Sequence, residues 1–333
     1  MQYEESYRTS QWSSRGVLRS ACKVCRVTVV RDVIGRHIYM ATMVKNVMSE
    51  NEGNGEDERV LNRRDVLRKT AATAAVGTGA VAATSGTASA GDKKCGETLP
   101  DAPSWYPWYD IENWNDHGFP WGEGEIAIYI NGWQADLDRG PDQGYECRRA
   151  MYDNGYWGEV AGVHWDSETL TWSGGKSKAD DMGENLAHLV EHLQDNGTHT
   201  VRLIGHSLGA RVIGTCLNTL SDNGRSVTSC ALLGGAIAND SVVEDCGWWC
   251  TGEFYHAIGD AGGNFRNYHS YDDEVLANLY TLAEWDNAVG RTGADGATQW
   301  NYNDHDVTWK IGSEHCAFYK RDTGCMDDVV AHY

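Results

Sequence analysis

The chain is short of positive charge. Its 333 residues hold 28 Lys and Arg against 48 Asp and Glu, a formal net charge of −20. From Gly91 onward the imbalance steepens to 15 against 39, a net charge of −24, and only six of those fifteen cations are lysine. Nucleic-acid binding needs a basic footprint, so this composition excludes it. Zinc-ligand spacing is lacking too. Cys22-x-x-Cys25 has no second pair, and no such spacing recurs among the later cysteines. The one long uncharged run, residues 70–90, contains no Leu, Ile or Phe. It is long enough to span a bilayer, but a run of Ala, Gly, Thr, Ser and Val inserts poorly, which argues against an anchor.

That run follows Asn62-Arg63-Arg64-Asp65-Val66-Leu67-Arg68-Lys69, a twin arginine with a basic follow-on. It ends in Ala88-Ser89-Ala90, an A-x-A-like cleavage site before Gly91. The arrangement resembles a twin-arginine (Tat) export signal. Residues 1–47 precede it and carry eight Lys/Arg against three Asp/Glu. Export signals sit near an N-terminus, and Met48 with its acidic polar follow-on suits a start better than Met1. Residues 1–47 are therefore read as an over-called start or a disordered extension, and 48–90 as the signal region. The acidic surface holds water and resists salting-out. It resembles that of proteins from salt-loving archaea, which commonly export folded proteins by the Tat route. The expected location is extracellular or at the cell surface, with the Tat machinery as export partner.

The part after the signal keeps eight cysteines: Cys95, Cys147, Cys216, Cys230, Cys246, Cys250, Cys316 and Cys325. An even count in an exported chain points to disulfides but leaves their connectivity open. Cys246–Cys250 and Cys316–Cys325 are the local expectations. Cys216, on the apolar face of a helix, reads as a core thiol.

Residues 91–125 are aromatic and turn-rich and read as an irregular arm. Trp105, Tyr106, Trp108, Tyr109, Trp114 and Trp121 are expected to clamp it to the domain; a polymer-binding strip is the other reading. Residues 126–333 form one domain. Within it, 126–130, 160–165, 200–204 and 227–233 are β-branched or apolar runs of strand length. Residues 177–194 place Met182, Leu186, Leu189, Val190 and Leu193 on one helical face. A second helix covers 208–220. The alternation requires a parallel sheet with helical crossovers, an α/β class. Residues 238–264 interrupt the rhythm with Trp248 and Trp249; a lid and a packed surface loop are both open readings.

At the centre stands Val201-Arg202-Leu203-Ile204-Gly205-His206-Ser207-Leu208-Gly209-Ala210-Arg211. An apolar strand runs into G-x-S-x-G and then into a helix, the nucleophile-elbow pattern. Gly205 and Gly209 are expected because a Cβ would crowd the turn and because glycine tolerates positive φ. The turn lifts the Ser207 hydroxyl clear of the sheet and puts the Leu208 N–H at a helix start, facing a developing oxyanion. Upstream, Asn131-Gly132-Trp133 closes the 126–130 strand, and the Trp133 N–H is the candidate second donor. A serine needs a base, and the base needs an acid. In the run Asn267-Tyr268-His269-Ser270-Tyr271-Asp272-Asp273 the acid is Asp273, with Asp272 second. His315, in a glycine-led loop, is the base ahead of His305 and His332. His188-Leu189-Val190-Glu191-His192 matches the H-x-x-E-H zinc-peptidase pattern, but both histidines lie opposite the apolar face of their helix.

The elbow with its Ala210-Arg211-Val212-Ile213 continuation, the Asn267 to Leu276 run and the His315-x-x-x-Tyr319 ending together resemble the α/β-hydrolase superfamily, lipase/esterase-like, over residues 126 to about 319. The resemblance implies a mostly parallel sheet with helices on both faces and carboxylic-ester hydrolysis through Ser207, Asp273 and His315, with Leu208 and Trp133 at the oxyanion. It implies no metal or organic cofactor, and a small-molecule or polymeric ester as substrate. A serine peptidase and a non-catalytic surface protein on the same fold are the alternatives.

Overall fold

A computed structural model describes residues 27–31, 37–41, 95, 99–169, 171–245 and 250–333. The twin-arginine segment, the 70–90 run, Cys22 and Cys25, Met48, Cys246, Trp248 and Trp249 lie outside the described residues. The chain divides into two units, Met1–Val81 and Ala82–Tyr333. In the first, β1 (Val27–Arg31) and β2 (His37–Ala41) pair antiparallel, with Val27 opposite Ala41 and Arg31 opposite His37. Part of the segment read as an over-called start or disordered extension therefore carries strand pairing.

The second unit is built on eight strands: β3 (Trp108–Asp110), β4 (Asn115–His117), β5 (Glu125–Ile130), β6 (Glu159–His164), β7 (Thr200–His206), β8 (Ser229–Leu233), β9 (Asn264–His269) and β10 (Tyr302–Asp306). In space they run β4-β3-β6-β5-β7-β8-β9-β10. Only the β3–β4 edge is antiparallel; every other pairing is parallel. Two strands of the sheet thus come from 91–125, so that stretch is not irregular throughout. Its aromatics clamp only in part: Tyr106 and Tyr109 are buried and Tyr109 meets Phe119 and Trp121 edge-on at 5.8 and 5.6 Å, whereas Trp105, Trp114 and Trp121 are exposed.

Parallel neighbours cannot be joined by tight hairpins, so each needs a crossover. Helices α1 (Arg139–Asp153), α2 (Trp172–Asp195), α3 (Gly209–Asp222) and α4 (Tyr255–Ala261) supply them between β5 and β9. The α2 start is set by Thr171, whose hydroxyl accepts the Gly174 N–H at 3.1 Å. Short helices α5 (Thr281–Glu284), α6 (Val289–Thr292), α7 (Thr308–Ile311) and α8 (Met326–Ala331) complete the chain. Among the described residues no helix is long and apolar enough to cross a membrane.

Because successive strand residues face opposite ways, the central strands feed two cores at once. Ile126, Ile128, Ile130, Leu203 and Leu232 pack with α2, α3 and α4. Ala127, Tyr129, Ile204, Ala231 and Leu233 pack with α1 and α8. The fold is therefore α/β, with a mostly parallel central sheet and helices on both faces. Within 238–264, the α4 residues Ala257, Ile258 and Ala261, with Phe254 before them, are buried in the first core. That half of the stretch is a crossover packed into the body of the domain.

The cysteines depart from the local expectation. Cys316 is bonded to Cys95, 221 residues away, and Cys325 is a free buried thiol. Residues 316 and 325 are near in sequence, but Cys325 heads α8 in the second core, where its thiol leans on the Phe318 carbonyl. Cys250 is disulfide-bonded. Cys216 is a buried free thiol, as its place on the α3 face suggests. A bond closing so long a loop removes much chain entropy from the unfolded state. Cys95→Ser is expected to expose one new thiol, that of Cys316, and to cost about 2–5 kcal/mol of stability. Cys325→Ser is expected to release no thiol from a disulfide. Thiol titration of denatured protein and urea unfolding check both.

Candidate active site

Strand β7 ends at His206, α3 starts at Gly209, and Ser207 is the turn between them. Ser207 itself has φ 53°, a left-handed backbone that a residue with a side chain rarely adopts. Such a conformation costs roughly 1–2 kcal/mol and persists only where surroundings over-determine it. Here the Ser207 N–H donates to Leu233 O at 3.0 Å, and its carbonyl accepts from Ala210 and Ala236 at 3.1 and 2.9 Å. The flanking glycines are needed for space, and neither has the positive φ expected of it. A Cβ on Gly205 would lie 2.7 Å from Gly209 O, and one on Gly209 would lie 2.6 Å from Ile130 O. The strain sits on the serine.

The Asn131-Gly132-Trp133 loop abuts this turn. A Cβ on Gly132 would lie 2.8 Å from Ser207 Cβ, so only glycine permits the approach. Leu208 caps α3 and is fully buried. Among the described residues neither the Leu208 nor the Trp133 N–H donates to another protein group. Asn131 is a brace: its Nδ2 donates to Trp165 O and its Oδ1 accepts from the Trp165 N–H, at 3.2 and 3.3 Å.

Asp273 and His315 come together although 42 residues separate them. His315 Nδ1 lies 2.6 Å from Asp273 Oδ2, with the acid fully buried and the histidine 5% exposed. A carboxylate accepts, so Nδ1 carries the proton and Nε2 is left a bare acceptor, the tautomer a base requires. Nε2 is buried with no protein partner among the described residues. The other Asp273 oxygen accepts the Leu276 N–H at 3.0 Å. Asp272 is exposed. His305 and His332 lie elsewhere, 4.6 Å apart ring to ring beside Tyr268.

His206 had no place in the sequence reading. It is 1% exposed, its Nε2 donates to the His315 carbonyl at 2.9 Å, and the two rings are 4.8 Å apart. The partner lies 109 positions away, so no local pattern could reveal it. His188 and His192 of the H-x-x-E-H match are exposed on α2. His188 faces Glu191, and His192 meets Trp121 at 5.2 Å. Among the described residues no group of three or more His, Cys, Asp or Glu could hold a metal ion.

A strained serine between a central parallel strand and a helix, with a buried acid–histidine pair delivered by later loops, defines an α/β-hydrolase fold. A family described as a protein family of unknown function (DUF726) matches residues 169–322. No curated protein matches the chain. Among solved structures it is similar to the RedJ thioesterase of Streptomyces coelicolor at 13% identity, covering 71% of this chain and 90% of that one, TM-score 0.34. It is also similar to a Pyrobaculum calidifontis esterase at 12% identity, covering 64% and 76%, TM-score 0.33. The third is Aspergillus fumigatus lipase B at 12% identity, covering 56% and 45%, TM-score 0.34.

Burial pushes two histidines down to about 3: His206, also opposed by the neighbouring His315, and His164, which lies against Asn131 and is also opposed by His117. In the unfolded chain a histidine titrates near 6.5. Each therefore stabilises fully above about pH 6.5 and loses that contribution as pH falls toward 3, because the unfolded state takes up the proton first. Between pH 6.5 and 5 the loss is about 2 kcal/mol per histidine. Urea unfolding should show His164→Asn losing about 2 kcal/mol less than the parent over that interval.

Proposed function

We propose that this chain is a serine hydrolase that cleaves carboxylic esters. The observation that carries the proposal is the buried 2.6 Å contact between His315 Nδ1 and Asp273 Oδ2, in a fold whose strained elbow residue is Ser207. Ser207 Oγ attacks the acyl carbonyl while His315 Nε2 takes its proton. Asp273 holds the imidazole in the required tautomer and stabilises the imidazolium. The Leu208 and Trp133 N–H groups hold the oxyanion, each worth roughly 3 kcal/mol. His315 then returns the proton to the departing alcohol, and water cleaves the acyl-enzyme.

The substrate is a small ester with an apolar arm. An aromatic wall starts at Trp133, the residue after Gly132: Trp133 and Trp172 meet edge-on at 5.4 Å, and Trp172 meets Tyr280 at 5.6 Å. Trp172 is tied to Glu284 through its indole N–H, and Lys176 joins the same carboxylate at 2.9 Å. Such a wall favours apolar or flat acyl groups by burial and ring contact. We also propose that the protein acts outside the cell after Tat export, on the strength of the twin-arginine segment and the acidic surface. The Cys95–Cys316 bond accords with an oxidising compartment.

A fluorophosphonate probe is expected to modify the parent and not Ser207→Ala. A folded parent that resists the probe would move the reading to a non-catalytic surface protein. Asp273→Asn is expected to lower kcat on a p-nitrophenyl ester on the order of 10³–10⁴-fold. Asp272→Asn is expected to leave it near the parent value; a reversed order would move the acid to Asp272.

A further inference from the structure

We infer that His206 is a positioning residue for the base, and that its Nε2–H, donated to the His315 carbonyl, locks the base-bearing loop to the nucleophile turn. The inference rests on the hydrolase reading above and adds to it a residue outside the triad.

Residues 312–316 arrive from α7 in a loop with no regular structure of their own, so their placement depends on anchors. The loop after β9, the arm and the β7–α3 turn all supply them. Ser270, just past β9, donates its hydroxyl to Gly312 O at 2.6 Å. Cys95 of the arm is bonded to Cys316. Asp273 holds the His315 ring, and His206 holds the His315 backbone. Only the last anchor comes from the residue covalently next to Ser207. Nucleophile and base are therefore connected through one peptide bond, one imidazole and one hydrogen bond.

A carbonyl can only accept, so the His206 proton sits on Nε2. His206 Nδ1 is buried and has no protein partner among the described residues, so the ring spends its one donor on His315. Tyr319 packs edge-on at 5.0 Å and Phe318 at 6.5 Å, which fixes the ring plane. Burial keeps His206 neutral. A charge there would repel the imidazolium that His315 must form during catalysis. A neutral donor supplies the anchor without that penalty. Histidine meets these demands together: a flat ring that packs against Tyr319 and Phe318, one N–H that donates, and no charge when buried.

Two substitutions separate donation from packing. His206→Gln keeps a neutral N–H donor and loses the ring; His206→Phe keeps a ring and loses the donor. The full chain is measured by thermal melting, by fluorophosphonate modification rate, by kcat and KM on p-nitrophenyl butyrate, and by the low-field proton resonance of the His315 Nδ1–H. The Phe variant is expected to lose on the order of 10²-fold in kcat and modification rate with KM near the parent value, since small misplacements of a reacting group cost this much. Its low-field resonance should disappear. The Gln variant should keep both the rate and the resonance. If the Phe variant does not fold, His206→Met serves as the donorless variant. Parent-like rates in the donorless variant, or equal losses in both, would overturn the inference. If the folded parent resists the probe, the hydrolase reading fails. The resonance then still decides about His206: its loss only without the donor supports the inference, and its persistence in every variant overturns it.

Discussion

The close approach of Gly132 to Ser207 is the contact on which the rest of the site depends. It brings a loop from the end of β5 against the turn between β7 and α3, and a single methyl group there would push them apart. Ser207 can hold its left-handed backbone because strand β8 on one side and the 235–237 segment behind it take up its amide and carbonyl. The strain is spread over neighbours that a parallel sheet puts in register. A strained serine on an isolated hairpin would relax.

The same sheet explains why remote residues converge. Parallel strands end on the same side, so the loops after β5, β7, β9 and β10 gather at one rim. That rim receives Trp133, then Ser207 with Leu208, then Asp273, then His315. Asp273 and His315 meet in a buried contact, and each is held a second time. Asp273 accepts a backbone N–H from Leu276, and the backbone of His315 is held by His206. Double anchoring restricts such a pair better than one contact, because a single hydrogen bond leaves the loop free to rotate about it.

The paired core on the two faces of the sheet supplies the rigidity behind this. Alternating residues of β5, β7 and β8 pack oppositely, so helices on both faces are pinned to the same strands. The Cys95–Cys316 bond adds a tether from the arm to the residue beside His315. That tether and the His206 contact hold neighbouring residues from opposite directions, one covalent and one through a hydrogen bond.

Much of this was legible in the residues. The apolar runs of β5, β6, β7 and β8, the stripes of α2 and α3 and the elbow follow from periodicity and from turn chemistry that only certain residues satisfy. Helix α1 was not legible. Its first half buries Gly140, Pro141, Gln143, Gly144 and Glu146, and apolar side chains (Cys147, Ala150, Met151) are buried only in its last two turns, so its pattern is too short to read. The β3–β4 edge was missed because three-residue strands carry too little pattern to read. Local residue order determined that a serine would stand at a strand-to-helix turn, with candidate acids and histidines downstream. Tertiary structure alone decided that Asp273 is buried on His315 while Asp272 is exposed, that Cys316 joins Cys95, and that His206 reaches the His315 carbonyl. Those partners lie tens to hundreds of positions apart, and only the folded sheet brings them within bonding distance.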